Sequence, residues 1–362
     1  MNICLIGDGL TNLVLAKILA NKNISISVCF ESKKTKKSTS RTIGISKNNF
    51  DFFKSNIVDI KKISWPINYI QIFNELNQIE EILNFKSTDS QLFFIVKHSE
   101  LYELVQKDIK KNKFIKKIKI KKSFYDEIIE NNKFDLIINS ETQNKISNFF
   151  FKRITKDYKS VAFTTIVKHQ KCINNKAVQI FTSCGPLAFL PYSNTETSIV
   201  FSVLDEKKNK SEKEIKELII KYNKYYKINS FKKFEKYKLK FSILRKYYHK
   251  NILCFGDNLH NIHPLAGQGF NMTLRDIKIL SDLIDEKIDL GLPLDSSILK
   301  EFESKTKHLN YIFSSGINFI HEFFKFDNKY GNNYSKEILK YLGKNNLFNK
   351  YISKFADQGL AL

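Results

Sequence analysis

The sequence predicts an α/β fold: a Rossmann-like nucleotide domain that carries an inserted antiparallel β-sheet domain and ends in a helical C-terminus. Three observations predict it. A glycine turn, Gly7-Asp8-Gly9-Leu10-Thr11-Asn12, joins an apolar strand to an apolar helix near the N-terminus. Residues 160–203 form four successive strand-like runs with turn residues between them. A second strand, glycine loop and helix follow at 251–286.

Residues 2–31 read as a βαβ unit. Asn2–Ile6 is an apolar strand, and Leu13, Ala16, Ile18, Leu19 and Ala20 give the following helix its apolar face. Ile24–Phe30 is a second strand and ends in Glu31. A polar, lysine-rich loop, Lys33–Ser40, leads to Arg41–Ser46, RTIGIS. Trp65–Phe85 holds two short strand-like runs, and His98–Lys111 reads as a helix. Lys113–Leu136 alternates like strands and ends in the apolar run Leu136–Ile138. The runs SVAFTTIVKH, AVQIFT, PLAFLPY and SIVFSV suit an antiparallel sheet with one buried face. Ser211–Tyr226 is a lysine-rich amphipathic helix, Asn251–Phe255 a buried strand, and Gly269–Glu286 and Ser297–Phe324 are helices. The tail after Asp327 is helical and lysine-rich. These elements place a discontinuous nucleotide domain at 1–63, 97–155 and 245–300. A substrate domain takes 64–96 and 156–244, and a helical region takes 301–362.

The net charge of +23 invites a nucleic-acid reading. Only four arginines occur, Arg41, Arg153, Arg245 and Arg275, and the remaining basic charge is lysine. Nucleic-acid readers favour the bidentate guanidinium, so the charge reads as a solvated lysine surface with a weak pull toward anionic membranes. Five cysteines without a CxxC suit buried free thiols in a reducing cytoplasm. No apolar run is long enough to span a bilayer, and the N-terminus lacks the pattern of a signal peptide. No metal site is expected.

The chemistry lies in two motifs. In the first, Gly7 permits a tight turn, and Gly9 lets the backbone approach a pyrophosphate seated on the helix N-terminus. Glu31 stands about 20 residues on, where an acid accepts from ribose hydroxyls. Asn12 replaces the third glycine of G-x-G-x-x-G, which predicts looser packing of helix on strand. In the second, Asn251–Phe255 runs into Gly256-Asp257, and Asp257 can accept from further hydroxyls of the same ligand. Pro264, Gly267, Gln268 and Gly269 form a tight loop before Asn271 opens a helix. A helix N-terminus there would stabilise the negative charge of a reduced flavin.

Gly256–Asp276, GDNLHNIHPLAGQGFNMTLRD, resembles the second FAD-binding motif of the class A flavoprotein monooxygenases, which share the para-hydroxybenzoate hydroxylase fold. More narrowly, the chain resembles the ubiquinone-biosynthesis FAD-dependent hydroxylases. RTIGIS is similar to that family's segment whose arginine approaches the FAD pyrophosphate, which gives Arg41 this role. Gln179–Pro191, QIFTSCGPLAFLP, resembles its substrate-domain segment, and Phe324–Gly359 its C-terminal region more faintly. The resemblance implies a Rossmann-like FAD-binding domain with FAD as cofactor and NAD(P)H as co-substrate. It implies hydroxylation of a prenylated phenol in ubiquinone biosynthesis. Gly185, Pro186, Leu187, Phe189 and Pro191 would then line the substrate pocket.

It also implies a quinone-biosynthesis complex as partner, and a cytoplasmic protein peripheral to the inner membrane. The aromatic stretch Leu309–Phe326 suits core packing or such a surface. One departure stands out. The family carries Asp-Gly after a strand, implicated in NAD(P)H binding, where this chain has Ser140-Glu141. The departure keeps two alternatives open: a non-hydroxylating FAD oxidoreductase of the same fold, or a flavin-binding accessory subunit. His260 and His263 are expected to hydrogen-bond the loop that they flank, and no catalytic acid or base is assigned.

Overall fold

Three sheets organise the computed structural model, which describes residues 1–31, 40–75, 83–86, 91–130, 133–204, 210–264 and 268–330. The first has six strands in the order Tyr248–His249, Ile252–Cys254, Leu136–Asn139, Asn2–Ile6, Ser25–Phe30 and Ile115–Lys119. All of them run parallel except the hairpin strand Tyr248–His249. Parallel strands are buried on both faces, so they read as unbroken apolar runs. Ile3–Ile6 and Leu136–Ile138 accordingly form the centre of the largest core. Helix Leu10–Ala20 packs into this core, as does the apolar face of helix Gln268–Asp289.

The stretch expected to be strands throughout 113–136 departs from that expectation. Ile115–Lys119 is a strand, but Phe124–Glu130 is a helix with Tyr125 and Ile128 buried. Phe124, Tyr125, Ile128 and Ile129 recur at helical spacing, and the local alternation masked it.

The inserted sheet has nine strands. Its spine is Arg153–His169, seventeen residues long, flanked by Glu196–Leu204 on one side and Glu235–Leu244 on the other. Glu235–Leu244, absent from the sequence-based elements, turns Leu239, Phe241 and Ile243 inward and Lys236, Lys238 and Lys240 outward. The sheet continues through Gly185–Pro191 and Lys176–Thr182. It is not wholly antiparallel, because Lys176–Thr182 pairs in parallel with Tyr69–Asn74.

Both faces of this sheet are covered, where one was expected. On one face Val178, Ile180, Leu187, Phe189 and Phe201 pack against Ile215 and Ile219 of helix Glu212–Tyr222. Ser211 and Glu214 close that helix's N-terminus as a reciprocal capping box. On the other face Ala162, Phe181, Leu239 and Phe241 meet Met272 of helix Gln268–Asp289. Phe313 and Ile317 of helix Ser296–Tyr330 join them. A small third sheet, Thr42–Ser46, Phe93–Lys97 and Ser64–Ile67, completes the fold. The tail beyond Tyr330, with most of the fainter C-terminal resemblance, lies outside the described residues. No helix among the described residues is long and apolar enough to cross a membrane.

Gly185 begins its strand at φ +128°, and a Cβ there would collide with the Ser202 carbonyl oxygen. Backbone cannot yield as a side-chain tip can. Gly185→Ala is therefore expected to destabilise the protein by about 2–3 kcal/mol. A shift of the urea midpoint checks this, and an unchanged midpoint would mean that the turn relaxes without cost.

Candidate dinucleotide site

Three chain turns meet at the carboxyl edge of the parallel sheet. Gly7, at φ +102°, leaves the first strand and donates its N–H to the Cys29 carbonyl at 2.8 Å. Ser140 leaves the neighbouring strand and donates to the Ile6 carbonyl at 3.2 Å. Gly256, at φ +60°, leaves the third, and a Cβ there would lie 3.0 Å from Thr11 Cγ2. Thr11 belongs to the first helix, so both glycine motifs adjoin across one edge despite their separation in sequence.

The first motif offers an anion cradle. Gly9 caps helix Leu10–Ala20 with extended backbone, no side-chain cap occupies the helix's N-terminus among the described residues, and its first turn holds no acid. Nothing lies within 4 Å of where a Gly9 Cβ would stand. Asn12 does not loosen the packing as its size suggested. It is fully buried, and Nδ2 donates to the Ile6 and Gly7 carbonyls, each at 2.8 Å. The amide thus pins the turn where glycine would only fit beneath it.

Glu31 accepts from Tyr125 Oη at 2.8 Å. Burial and this carboxylate push the Tyr125 hydroxyl's pKa up, so it remains a donor. Arg41 lies in a strand-entry position, and its carbonyl accepts from the His98 N–H at 3.0 Å. The His98 imidazole is held down at a pKa of about 4, first by burial and then by the Arg41 charge, against an opposing pull from Asp257. His98, Arg41 and exposed Asp257 therefore share one electrostatic neighbourhood. Sequence reasoning missed His98, whose partners come from distant segments.

The sign of its linkage follows. The folded state keeps His98 neutral, while the unfolded chain protonates it near its ordinary value of 6.5. Stability from the neutral ring is present above that value and is lost as pH falls toward about 4. Unfolding midpoints measured across this window should fall more steeply for the wild type than for His98→Gln. Parallel curves would remove His98 from the account.

The second motif differs from expectation in its details. Gln268 and Gly269 lie inside helix Gln268–Asp289 and not in a preceding loop. Asn271, expected to open the helix, is one turn in and ties it to the RTIGIS strand. Its Oδ1 accepts from the Ser46 N–H at 3.1 Å and from Asn49 Nδ2 at 2.9 Å, while Nδ2 donates to the Gly44 carbonyl at 3.0 Å. Gln268 Oε1 is buried without a partner among the described residues, Pro264 is exposed, and Gly267 lies outside the described residues. His260 bonds Asp276 of the helix at 2.7 Å and not the loop; both side chains are fully buried. His263 makes no hydrogen bond through either ring nitrogen among the described residues. It packs edge-on against Tyr158 and beside His321, and burial holds it neutral.

Ser140 and Glu141 fall where the register of the sequence put them, at the sheet edge. A Cβ on Gly7 would meet Glu141 Cγ at 2.8 Å and Ser140 Oγ at 3.1 Å, so the Glu141 side chain lies on the glycine turn itself. Asn258 Nδ2 donates to the Glu141 carbonyl at 2.9 Å and Asn139 Oδ1 accepts its N–H at 3.1 Å, which fixes the segment. The segment expected to line a substrate pocket is divided by strand alternation. Leu187 and Phe189 are fully buried beneath helix Glu212–Tyr222, while Pro186 pairs with Phe181, which faces the nucleotide unit. Pro191 is buried near the strand's end and Gly185 occupies the turn.

The fold is shared with solved monooxygenases. The p-nitrophenol 4-monooxygenase PnpA of Pseudomonas putida superposes with a TM-score of 0.79 at 12% identity, covering 99% of this chain and 98% of that one. The FAD binding domain family matches residues 139–288, and FAD is the cofactor that this domain takes. By sequence the chain is similar to the ubiquinone hydroxylase UbiL of Rhodospirillum rubrum, 25% identical over 164 residues, 41% of this chain and 37% of that protein. The ubiquinone biosynthesis monooxygenase COQ6 of Dictyostelium discoideum is 42% identical over 60 residues, 16% of this chain and 12% of the relative. The chain thus spans less than half the length of these curated relatives. Its sequence similarity falls among proteins named for ubiquinone biosynthesis. The site fits FAD: a helix N-terminus without a side-chain cap, open space at Gly9 and, among the described residues, an unpartnered buried Gln268 oxygen suit a polar ligand.

Proposed function

We propose that this chain is an FAD-dependent monooxygenase that hydroxylates the ring of a prenylated phenol in ubiquinone biosynthesis, with NAD(P)H as reductant. The observation that carries the reading is the meeting of Gly7, Ser140 and Gly256 at one sheet edge, with Arg41 and Asp257 in one field beside it. Bound FAD supplies the chemistry, activating dioxygen for transfer to an electron-rich ring. The chain binds, orients and shields. Gly7 and Gly9 leave room for a pyrophosphate on the helix N-terminus, and the Arg41 guanidinium complements its charge. Glu31, held by Tyr125, would accept from the adenosine ribose, and Asp257 from the ribityl chain. Pro264, Gly267, Gln268 and Gly269 would border the isoalloxazine, with Asn271 as the strut that holds helix Gln268–Asp289 in place.

The inserted sheet would supply the substrate wall. Pro186 sits on the face toward the helix that follows the second motif, whereas Leu187 and Phe189 act through the core behind it. The proposed division is a nucleotide domain of 1–63, 97–155 and 245–300 around a substrate domain of 64–96 and 156–244. A quinone-synthesis complex is the proposed setting.

A second reading is a flavin-binding subunit with weak NAD(P)H reactivity. Glu141 on the glycine turn favours it, because it places an acid where a polyanionic ligand must come. One experiment separates the two. The holo-protein is incubated with NADH, labelled dioxygen and a short-chain prenylated phenol. One labelled oxygen per hydroxylated ring is expected. A yellow protein that oxidises NADH without labelling any product would overturn the first reading.

A further inference from the structure

A groove of about 790 Å³ opens between the ends of strands Arg153–His169 and Glu235–Leu244 and the first turns of helix Ser296–Tyr330. Its floor is apolar, with Ile243 and Leu244 buried, and Ile154 and Tyr311 stand on its rim, 39% and 51% exposed. Arg245, Lys300, Lys307 and His308 surround it. Glu303 is the acid that lines it, and its carboxylate is already engaged by Lys307 at 2.9 Å and the Tyr247 N–H at 2.8 Å. The groove therefore keeps a surplus of positive charge.

Arg245 is the informative residue. Arg153 donates to Ser242 and Asn258, and Arg275 contacts Asn310 and Asp276. The Arg245 side chain makes no hydrogen bond or ion pair among the described residues and is exposed. In a chain with four arginines, one stands open over an apolar floor.

The neighbouring surface repeats the pairing of ring and cation. The Arg245 N–H donates to the Lys152 carbonyl at 2.8 Å, which fixes these strands side by side. Phe151 is 74% exposed, with the Lys152 ammonium over its ring at 5.9 Å. Phe149 is stacked on His249 at 4.9 Å and is itself 38% exposed. From the groove, helix Ser296–Tyr330 carries an exposed apolar stripe through Ile312 and Phe319.

We propose that this corner docks the protein on an anionic lipid bilayer. The rings and aliphatic rim would enter the headgroup boundary, and Arg245 and Lys300 would reach lipid phosphates. Aromatic bodies at headgroup level with basic groups around them are what such an interface recognises. A diffuse anionic surface also suits lysines that impose no fixed hydrogen-bond geometry, whereas a specific acidic peptide would call for more of the bidentate guanidinium.

The test must separate this corner from the general charge of +23. Flotation of the full-length holo-protein would use phosphatidylcholine vesicles with and without one third phosphatidylglycerol. Binding is expected with the anionic lipid and not with phosphatidylcholine alone. Arg245→Glu with Lys300→Glu should weaken binding about tenfold or more, since each basic group near the surface contributes roughly fivefold. Phe151→Ser should weaken it without any charge change. Lys213→Glu with Lys224→Glu carries the same charge change on exposed sites of the inserted domain and should cost little. The flavin spectrum verifies that each variant is folded. Equal losses in the two charge-reversed pairs, or no binding by the wild type, would overturn the proposal.

Discussion

Asp257→Ala is expected to emerge from purification colourless, while His260→Ala emerges yellow but fragile. The two residues are three apart, yet the structure gives them opposite environments. Asp257 is exposed at the sheet edge and acts on His98 together with Arg41. A carboxylate bond to a ligand hydroxyl is worth about 1.5–3 kcal/mol, so its loss should weaken FAD about ten- to a hundredfold. His260 faces away from the edge, fully buried against Asp276. Its removal leaves a buried carboxylate with, among the described residues, Arg275 at 3.5 Å and Asn310 at 3.4 Å. Stripping one partner from such a pair costs about 3–5 kcal/mol of stability. Flavin titration at a temperature where both variants are folded, together with urea unfolding, reads the two effects. Equal loss of flavin in both would mean that the roles are misassigned.

Glu141→Gly is expected to bind FAD about tenfold more tightly at low salt and to be reduced faster by NADH. The glutamate lies on the Gly7 turn, so its charge confronts the pyrophosphate end of the cofactor first. Two unit charges about 4 Å apart repel by roughly 4 kcal/mol at an effective dielectric of about 20. A third of that is already a decade in affinity. The wild type should accordingly hold FAD yet be bleached slowly by free NADH in stopped-flow mixing. The gap between variant and wild type should narrow as salt is raised. Rapid bleaching of the wild type at micromolar NADH would show that this acid carries no penalty.

What the sequence revealed was local. Gly7 and Gly256 were readable because a turn at positive φ next to a strand is a property of a few consecutive residues. The parallel strands were readable because burial on both faces leaves no polar positions. Asn271 stands out in the sequence, but its tie to Gly44, Ser46 and Asn49 does not, because these partners lie more than 200 residues earlier. His98 was missed for the same reason. Leu187 and Phe189 were assigned to a pocket on family resemblance. Alternation already implied that only half of such a strand can face one side, and the sequence could not say which half. Glu141 was placed correctly by register, but only packing revealed that it covers Gly7 and not some later point on the edge.

The seventeen-residue spine Arg153–His169 has a mechanical consequence. At about 3.3 Å per residue it extends roughly 55 Å, interrupted by one bulge at Asp157–Ser160, where Lys159 takes φ +49°. Arg153 fastens one end to Asn258, one residue past the aspartate of the second motif, and the other end lies deep in the inserted sheet. Strand Glu235–Leu244 pairs with the spine on both sides of that bulge and splints it, so that displacement is transmitted and not absorbed. The proposed substrate wall and the second glycine motif should then tilt together as one stiff body. Amide hydrogen exchange should register this as a single slow-opening unit that includes Ile252–Cys254 and Thr197–Val203.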